Sequence, residues 1–251
     1  MFDKPNIKFS LRKKSQFKLK IGLITLSSDL TIENDFRLML SKSKHIAYYV
    51  NRIENKNPLT LKNLKRMEKD FSKVVKLLVP DEKLDVLAYG CTSGTVAIGY
   101  DKILNRVNKV RPRIPLVTPI TSAIKAIKKL KIKKLSVLTP YPDDINKKIA
   151  DYLEKNGLQV VSFTALKLNT DTALARVEPS SIYKFINSRN IKNADGLFIS
   201  CTGLRSVEVI KKIESKINKP VITSNQAMLW DCMRSCHDMN KIKNFGKLLR
   251  V

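Results

Sequence analysis

Histidine is almost absent from this chain of 251 residues, which contains two, His45 and His237. With so few imidazoles, a Ser–His–Asp hydrolase and histidine-based acid–base catalysis are disfavoured. The sequence has no Walker A motif and no Gly-x-Gly-x-x-Gly, so nucleotide binding has no support. No apolar run approaches the about 20 residues of a membrane helix, and the basic first 20 residues lack a signal-peptide core. We therefore expect a cytoplasmic protein with no membrane partner.

Cysteine is also scarce, with four residues in a chain that shows no secretory signal. Such cysteines should be reduced, so they need another explanation than a disulfide framework. Cys232 and Cys236 lie four residues apart on an apolar helical stripe, and His237 follows directly. A metal site would need a second cluster of ligands, and none with suitable spacing is found. We predict no metal and no cofactor.

Basic residues are abundant, with 48 Lys and Arg against 22 Asp and Glu and a formal net charge of +26. Such a charge is compatible with nucleic-acid binding. However, the lysines are spread along the whole chain, and most basic runs are pairs such as Lys128–Lys129. We therefore predict no nucleic-acid partner. The alternative, a basic nucleic-acid-associated protein without catalysis, would bind in a strongly salt-dependent way.

Strands and helices alternate along the chain, which predicts an α/β fold with parallel sheets flanked by helices. We predict strands at 21–26, 84–89, 115–118, 135–139, 159–163, 196–200 and 221–224. Helical periodicity is clearest over 60–79 and 122–130, before Gly157, near 179–189, after residue 203 and from residue 225 onward. We expect a basic extension at 1–20, a first lobe at 21–118 completed by a C-terminal helix at 224–251, and a second lobe at 119–223.

The two halves carry the same short pattern at corresponding places. Cys91-Thr92 follows one buried strand, and Cys201-Thr202 follows another in the second half. Ligands of open α/β sheets bind beyond the carboxyl ends of strands, so two similar lobes would face each other across an active-site cleft. The repeated Cys-Thr pair therefore predicts one site that contains both cysteines.

The position of the cysteines suggests their chemistry. A cysteine between a strand and a helix lies among unpaired N–H groups at the positive end of the helix dipole, which favours the thiolate. Backbone N–H groups in the same turns can hold a carboxylate or an enolate oxygen; they belong to Thr92, Ser93, Thr202 and Gly203. Two facing thiols suit a reaction in which one removes a proton and the other returns it. The alternative is that Cys91 and Cys201 are small buried hydrophobic residues.

Several motifs occur together in one order: Ser27-Ser28-Asp29-Leu30-Thr31, Gly90-Cys91-Thr92-Ser93-Gly94, Thr139-Pro140-Tyr141, Ser200-Cys201-Thr202 and Thr223-Ser224-Asn225-Gln226-Ala227. This set resembles the aspartate/glutamate racemase superfamily, and the resemblance extends from about Ile21 to Trp230. The nearest branch resembles the maleate cis–trans isomerases, arylmalonate decarboxylases and ectoine-utilisation racemase-like proteins.

The resemblance implies two pseudo-symmetric lobes, an active site between them and no cofactor. Cys91 matches the first-lobe cysteine, which attacks the double bond in maleate isomerases, and Cys201 matches the second-lobe cysteine that handles the proton. Other matching positions bind substrate; they are Ser28, Thr92, Ser93 and Tyr141. The decarboxylases have glycine at the first cysteine position, so the presence of both cysteines favours isomerisation.

Two acidic residues depart from the maleate isomerase pattern. Asp29 stands where those enzymes have asparagine, and Asp171 also stands where an asparagine is expected. A carboxylate there can help to deprotonate a thiol or bind a substrate ammonium, but it opposes a dianion such as maleate. Alternatively, Asp29 caps the helix that begins near Thr31.

The favoured function is racemisation or epimerisation of a small amino acid or related carboxylate. In this reaction Cys91 and Cys201 exchange the roles of acid and base, assisted by Asp29. The alternative is maleate-type cis–trans isomerisation, in which Cys91 adds to an alkene. A homo-oligomer is possible in either case.

Overall fold

The computed structural model describes residues 10–12, 15–186 and 191–251, and two parallel β-sheets form its centre. The first sheet has the strand order β2-β1-β3-β4. Its strands are β1 Leu19–Leu26, β2 Ile46–Ile53, β3 Val86–Tyr89 and β4 Leu116–Val117. Strands β1 and β3 are almost wholly buried, because helices cover both faces of the sheet.

The second sheet repeats this arrangement with the order β6-β5-β7-β8. Its strands are β5 Lys134–Thr139, β6 Gln159–Ala165, β7 Gly196–Ile199 and β8 Val221–Thr223. All pairings recorded in both sheets are parallel. The predicted α/β fold with two similar parallel sheets is thus confirmed.

Helices connect the strands and cover the sheets. They are α1 Ile32–Leu40, α2 Leu61–Arg66, α3 Phe71–Lys76, α4 Thr92–Ile98, α5 Tyr100–Asn108, α6 Pro119–Lys129, α7 Asp143–Lys155, α8 Asp171–Ala175, α9 Pro179–Phe185, α10 Ile210–Ile217 and α11 Ser224–Ser235. Gly157 follows α7 with φ +82°, as expected for a glycine that ends a helix. In the part of the chain that is described, no helix has the length and apolarity to cross a membrane.

The structure differs from the sequence prediction in the first sheet. Strand β2 was not predicted; it is mostly half-buried at the edge of the sheet, so its apolar pattern is weak. The single helix predicted over 60–79 is divided into α2, a 3₁₀ turn at Met67–Asp70 and α3. Strand β1 begins at Leu19, inside the predicted extension, because Leu19 and Lys20 pair with β2.

Three further predictions need correction towards the C-terminus. The predicted C-terminal helix at 224–251 ends at Ser235, and a 3₁₀ turn at Leu248–Arg250 is the remaining helical element of that segment. No helix follows Cys201 directly, since a 3₁₀ turn begins at Val207 and α10 at Ile210. The helix predicted near 179–189 ends at Phe185, and residues 187–190 lie outside the described ranges.

Candidate active site

A small, partly enclosed cavity lies at the carboxyl ends of β1, β3, β5 and β7, where the two sheets meet. Residues from both halves of the chain line it: Leu26, Asp29, Leu30, Leu59, Cys91, Thr92, Ser93, Tyr141, Asp171, Leu174, Cys201, Thr202 and Gly203. Its volume is about 10 Å³, which is about what one water molecule requires. A substrate must therefore displace lining side chains on entry, and exposed Leu30 lies where the cavity meets the outer surface.

Cys91 lies one residue beyond Gly90 at the end of β3 and forms the N-cap of α4. Its Sγ accepts a hydrogen bond from the Gly94 N–H at 3.2 Å and lies 3.7 Å from Ser93 Oγ. The N–H groups of Thr92 and Ser93 have no hydrogen-bond partner among the described residues. These donors can receive an oxygen of a substrate carboxylate beside the thiol.

Gly94 is required for this geometry, because a Cβ at position 94 would lie 2.8 Å from Cys91 Sγ and also against Tyr89 Oη. We predict that Gly94→Ala lowers kcat/KM by about 10²-fold, since the added methyl group would displace the Cys91 thiol from its present position in the cavity. Steady-state kinetics measures the effect. The control is Gly99→Ser: Gly99 has φ +97° but open space around it, so that substitution should reduce stability more than activity. Full activity of a folded Gly94→Ala protein would contradict the prediction.

Cys201 occupies the equivalent place after β7, but with a different backbone. Its φ is +134°, a conformation that costs a non-glycine residue about 1–3 kcal/mol and that clusters at functional sites. Cys201 N donates to Ser224 Oγ at 2.9 Å, which fixes the turn, and Gly203 N donates to Cys201 Sγ at 3.3 Å. The Tyr141 hydroxyl also interacts with this thiol.

The predicted thiolate character of the two cysteines is not found in the substrate-free protein. Burial raises the pKa of Cys91 to about 11, although the hydrogen bonds from Gly94 and Ser93 oppose the shift. Burial raises the pKa of Cys201 further, and the charge of Asp171 adds to the effect at both thiols. Desolvation thus exceeds the influence of the turn N–H groups, and both thiols are neutral at rest.

Asp29 lies in the cavity wall, and its carboxylate also caps the start of α1, which is the structural role considered from the sequence. Its Oδ1 accepts the N–H groups of Thr31 at 2.7 Å and Ile32 at 2.9 Å. Burial nevertheless raises the pKa of Asp29 from 3.8 to about 6. Arg52, which the sequence analysis missed, holds this loop by donating to the carbonyls of Leu26, Ser27 and Asp29.

Asp171 begins α8 and brings a second carboxylate to the cavity. Its Oδ2 lies 2.6 Å from both Ser28 Oγ and Asn55 Nδ2, and its N–H donates to Asn57 Oδ1 at 3.2 Å. Ser28 was predicted to bind substrate, but it is not among the residues that line the cavity, and its hydrogen bond suits it to hold Asp171 in place. Asn55 and Asn57 were not predicted, because they follow the missed strand β2.

Ser224 and Asn225 connect the two cysteine turns from the start of α11. Ser224 Oγ lies 2.9 Å from Thr92 Oγ1 and accepts the Cys201 N–H. Asn225 Nδ2 donates to Thr202 O at 2.9 Å and to Asp35 Oδ2 at 2.7 Å. Both residues belong to a quoted motif but were not predicted as site residues. Their position directly after β8 could have indicated that they lie at the same sheet edge as the cysteines.

The second cysteine pair lies apart from the cavity. Cys232 is buried in α11, and Cys236 is half-buried beyond the end of that helix. In the segment after Cys236, Asp238 Oδ2 lies 2.9 Å from His45 Nε2. Among the residues described, no group of three or more His, Cys, Asp or Glu side chains could hold a metal ion.

The chain is similar to a known family and to several characterised proteins. The sequence profile of a family described as arylmalonate decarboxylase matches residues 93–249. The maleate isomerase of Alcaligenes faecalis is 23% identical over 246 residues, covering 92% of this chain and 96% of that protein. The maleate isomerase of Pseudomonas putida S16, solved as a cysteine-to-alanine variant with maleate, has a TM-score of 0.85 at 22% identity, with 92% and 97% of the chains covered.

A third comparison concerns a reaction intermediate. A cysteine-to-serine variant of the Nocardia farcinica maleate cis–trans isomerase, solved with a covalently bound succinylcysteine intermediate, has a TM-score of 0.83. It is 18% identical to this chain, and the match covers 92% of this chain and 98% of that one. The likeness to both solved structures extends over nearly the whole fold.

Proposed function

Because the chain belongs to the arylmalonate decarboxylase family, we propose that it is a cofactor-independent cis–trans isomerase of a small unsaturated carboxylic acid. The membership confirms the resemblance to the aspartate/glutamate racemase superfamily. The observation that carries the proposal is the pair of thiols, Cys91 and Cys201, on the wall of one cavity.

The relatives change the order of the two functions expected from the sequence. Racemisation was the first choice, and maleate-type isomerisation was the alternative. The curated relatives that match 92% of this chain are maleate isomerases, and the solved Nocardia farcinica variant carries a covalently bound succinylcysteine intermediate, so these proteins support the alternative. An isomerase that uses Cys91 as a nucleophile therefore replaces the two-base racemase as the favoured function.

The proposed reaction begins with addition of Cys91 to the double bond. The unpaired N–H groups of Thr92 and Ser93 hold the conjugated carboxylate. Cys91 Sγ forms a bond to one alkene carbon, and the π electrons move towards the carboxylate as an enediolate. Cys201 gives its thiol proton to the other carbon, and the proton lost from Cys91 replaces it. The net result is addition of the Cys91 S–H across the double bond.

The adduct has a C–C single bond and can rotate. Cys201 first releases its proton to solvent and, as thiolate, removes the proton from carbon. The C–S bond then breaks, the Cys91 sulfur takes a proton back from solvent, and the trans acid leaves with both thiols restored. The raised pKa values of the two thiols suit this sequence, because neither carries a charge until substrate is present. Tyr141 contacts Cys201 and can stabilise its thiolate form.

Proton NMR of the protein with maleate, and with a panel of amino acids in deuterium oxide, tests the proposal. A cis–trans isomerase converts the alkene signal of maleate into that of fumarate. A racemase exchanges deuterium into the Cα position of an amino acid. Exchange at Cα with no change in any cis-unsaturated acid would reject the proposed function in favour of racemisation.

A further inference from the structure

The cavity is lined by acidic side chains without basic ones. Among the described lining residues, Asp29 and Asp171 are acidic, and none is Lys, Arg or His. The whole chain has a formal charge of +26, so its composition does not explain this acidic lining. Asp171 lines the same cavity as Cys91 and Cys201, and its charge helps to raise the pKa of both thiols.

Each of these carboxylates keeps one oxygen that no described group occupies. Asp29 uses Oδ1 to accept the N–H groups of Thr31 and Ile32, which leaves Oδ2. Asp171 uses Oδ2 to accept from Ser28 and Asn55, which leaves Oδ1. Both residues line the cavity, so the two remaining oxygens offer acceptors to a ligand that brings hydrogen-bond donors.

The cysteine turns offer the opposite polarity. The N–H groups of Thr92, Ser93 and Thr202 have no partner within the described ranges, and the three residues line the cavity. Backbone N–H groups can hold a carboxylate. The site can therefore receive one anionic group beside the cysteines and one hydrogen-bond donor beside the aspartates.

From this two-sided lining we infer that the substrate is a cis-unsaturated acid with one carboxylate and, at its other end, a hydrogen-bond donor such as a primary amide or an ammonium group. The inference rests on the proposed cis–trans isomerisation. A dicarboxylate would place its second negative charge beside Asp29 and Asp171, with no lining cation to compensate it. An amide or ammonium group would instead donate to these carboxylates, while the remaining carboxylate conjugates with the alkene.

Three small acids test the inference on the full-length protein: maleic acid monoamide, cis-4-aminocrotonate and maleate. At about pH 8 we expect kcat/KM for the better donor-bearing acid to exceed that for maleate by at least about 10²-fold, as like-charge contacts in closed sites allow. The ratio of kcat/KM for the donor-bearing acid to kcat/KM for maleate should be smaller at about pH 6, where Asp29 gains a proton.

Isosteric variants identify the groups responsible. Asp171→Asn should reduce the preference by at least about tenfold, mainly by raising kcat/KM for maleate, because the charge that opposes the dianion is lost. Asp29→Asn should act in the same direction. The matched control is Asp101→Asn, an exposed carboxylate on α5 that does not line the cavity, and it should leave the preference unchanged.

Three results would overturn the inference. Turnover of maleate as fast as that of both donor-bearing acids at about pH 8 would reject the substrate class and leave the isomerase in place. A preference for the donor-bearing acids that survives both aspartate substitutions would show that the carboxylates do not cause it. No turnover of the three acids, with no adduct on Cys91, would reject the proposed function as well.

Discussion

Replacement of Cys91 by serine is expected to lower kcat/KM by at least about 10⁴-fold, as loss of a catalytic nucleophile does in other enzymes. A serine hydroxyl is a far weaker nucleophile, and this chain has no histidine in the described cavity lining to activate it. Cys201→Ser should be slow for a different reason: water can supply the proton that completes the adduct, but no thiolate remains to take that proton back. In that variant the adduct on Cys91 is expected to accumulate.

Intact-mass spectrometry distinguishes these two roles. Cys201→Ser, mixed with an acid that the natural protein isomerises, should gain the mass of one substrate molecule. Peptide mapping should place this added mass on Cys91. Cys91→Ser should gain none. Cys236→Ser is the control, since Cys236 is a half-buried thiol outside the cavity, and it should stay active without an adduct. An adduct on Cys201, or an active Cys91→Ser protein, would refute the assignment of roles.

The apolar patterns of the central strands were sufficient to predict the parallel sheets. Strands β1, β3, β5 and β7 lie inside the sheets, and burial on both faces makes them nearly continuous apolar runs. Both cysteines follow such strands, so their meeting at one edge could also be predicted. Strand β2 could not be recognised in this way, because an edge strand with half-buried tyrosines has no clear period.

The missed strand had a consequence for the site. Asn55 and Asn57 come shortly after β2 and therefore reach the same sheet edge as Cys91, where they hold Asp171. Without β2 the sequence gives no reason to place them there. Asp171 itself was found through the family resemblance, since its position depends on contacts between segments more than 100 residues apart.

The protonation state of the thiols was predicted wrongly for a physical reason. The turn after a strand can be read from the sequence, and with it the N–H groups that favour a thiolate. The depth of burial depends on how two sheets and their helices pack around the turn. At Cys91 and Cys201 this desolvation is larger than the local stabilisation, so the pKa rises.

Asp29→Asn is expected to make the protein more stable than the natural chain at neutral pH, by up to about 3 kcal/mol. The pKa of Asp29 is raised from 3.8 to about 6 in the folded protein, because burial disfavours the charged form. The folded state therefore holds this proton more tightly than the unfolded state. The free energy of unfolding that this proton adds to the natural chain is fully present below pH 3.8, declines as the pH rises and is lost above about pH 6.

Denaturant unfolding of both proteins between about pH 4 and pH 7 measures this effect. Asparagine caps a helix about as well as aspartate, so the hydrogen bonds to Thr31 and Ile32 should survive the substitution. The free energy of unfolding of the natural chain should therefore fall relative to that of Asp29→Asn as the pH rises. Asp101→Asn, an exposed control, should show no such trend.

The difference in unfolding free energy between the two proteins also bears on function, because it shows whether the Asp29 carboxylate destabilises the folded protein. A gain in stability on Asp29→Asn, together with weaker discrimination against maleate, indicates a carboxylate retained for the substrate. A difference in unfolding free energy that stays constant with pH would show that the Asp29 carboxylate is not desolvated. A natural chain that gains stability over the variant as the pH rises would show that ionised Asp29 serves mainly as the cap of α1.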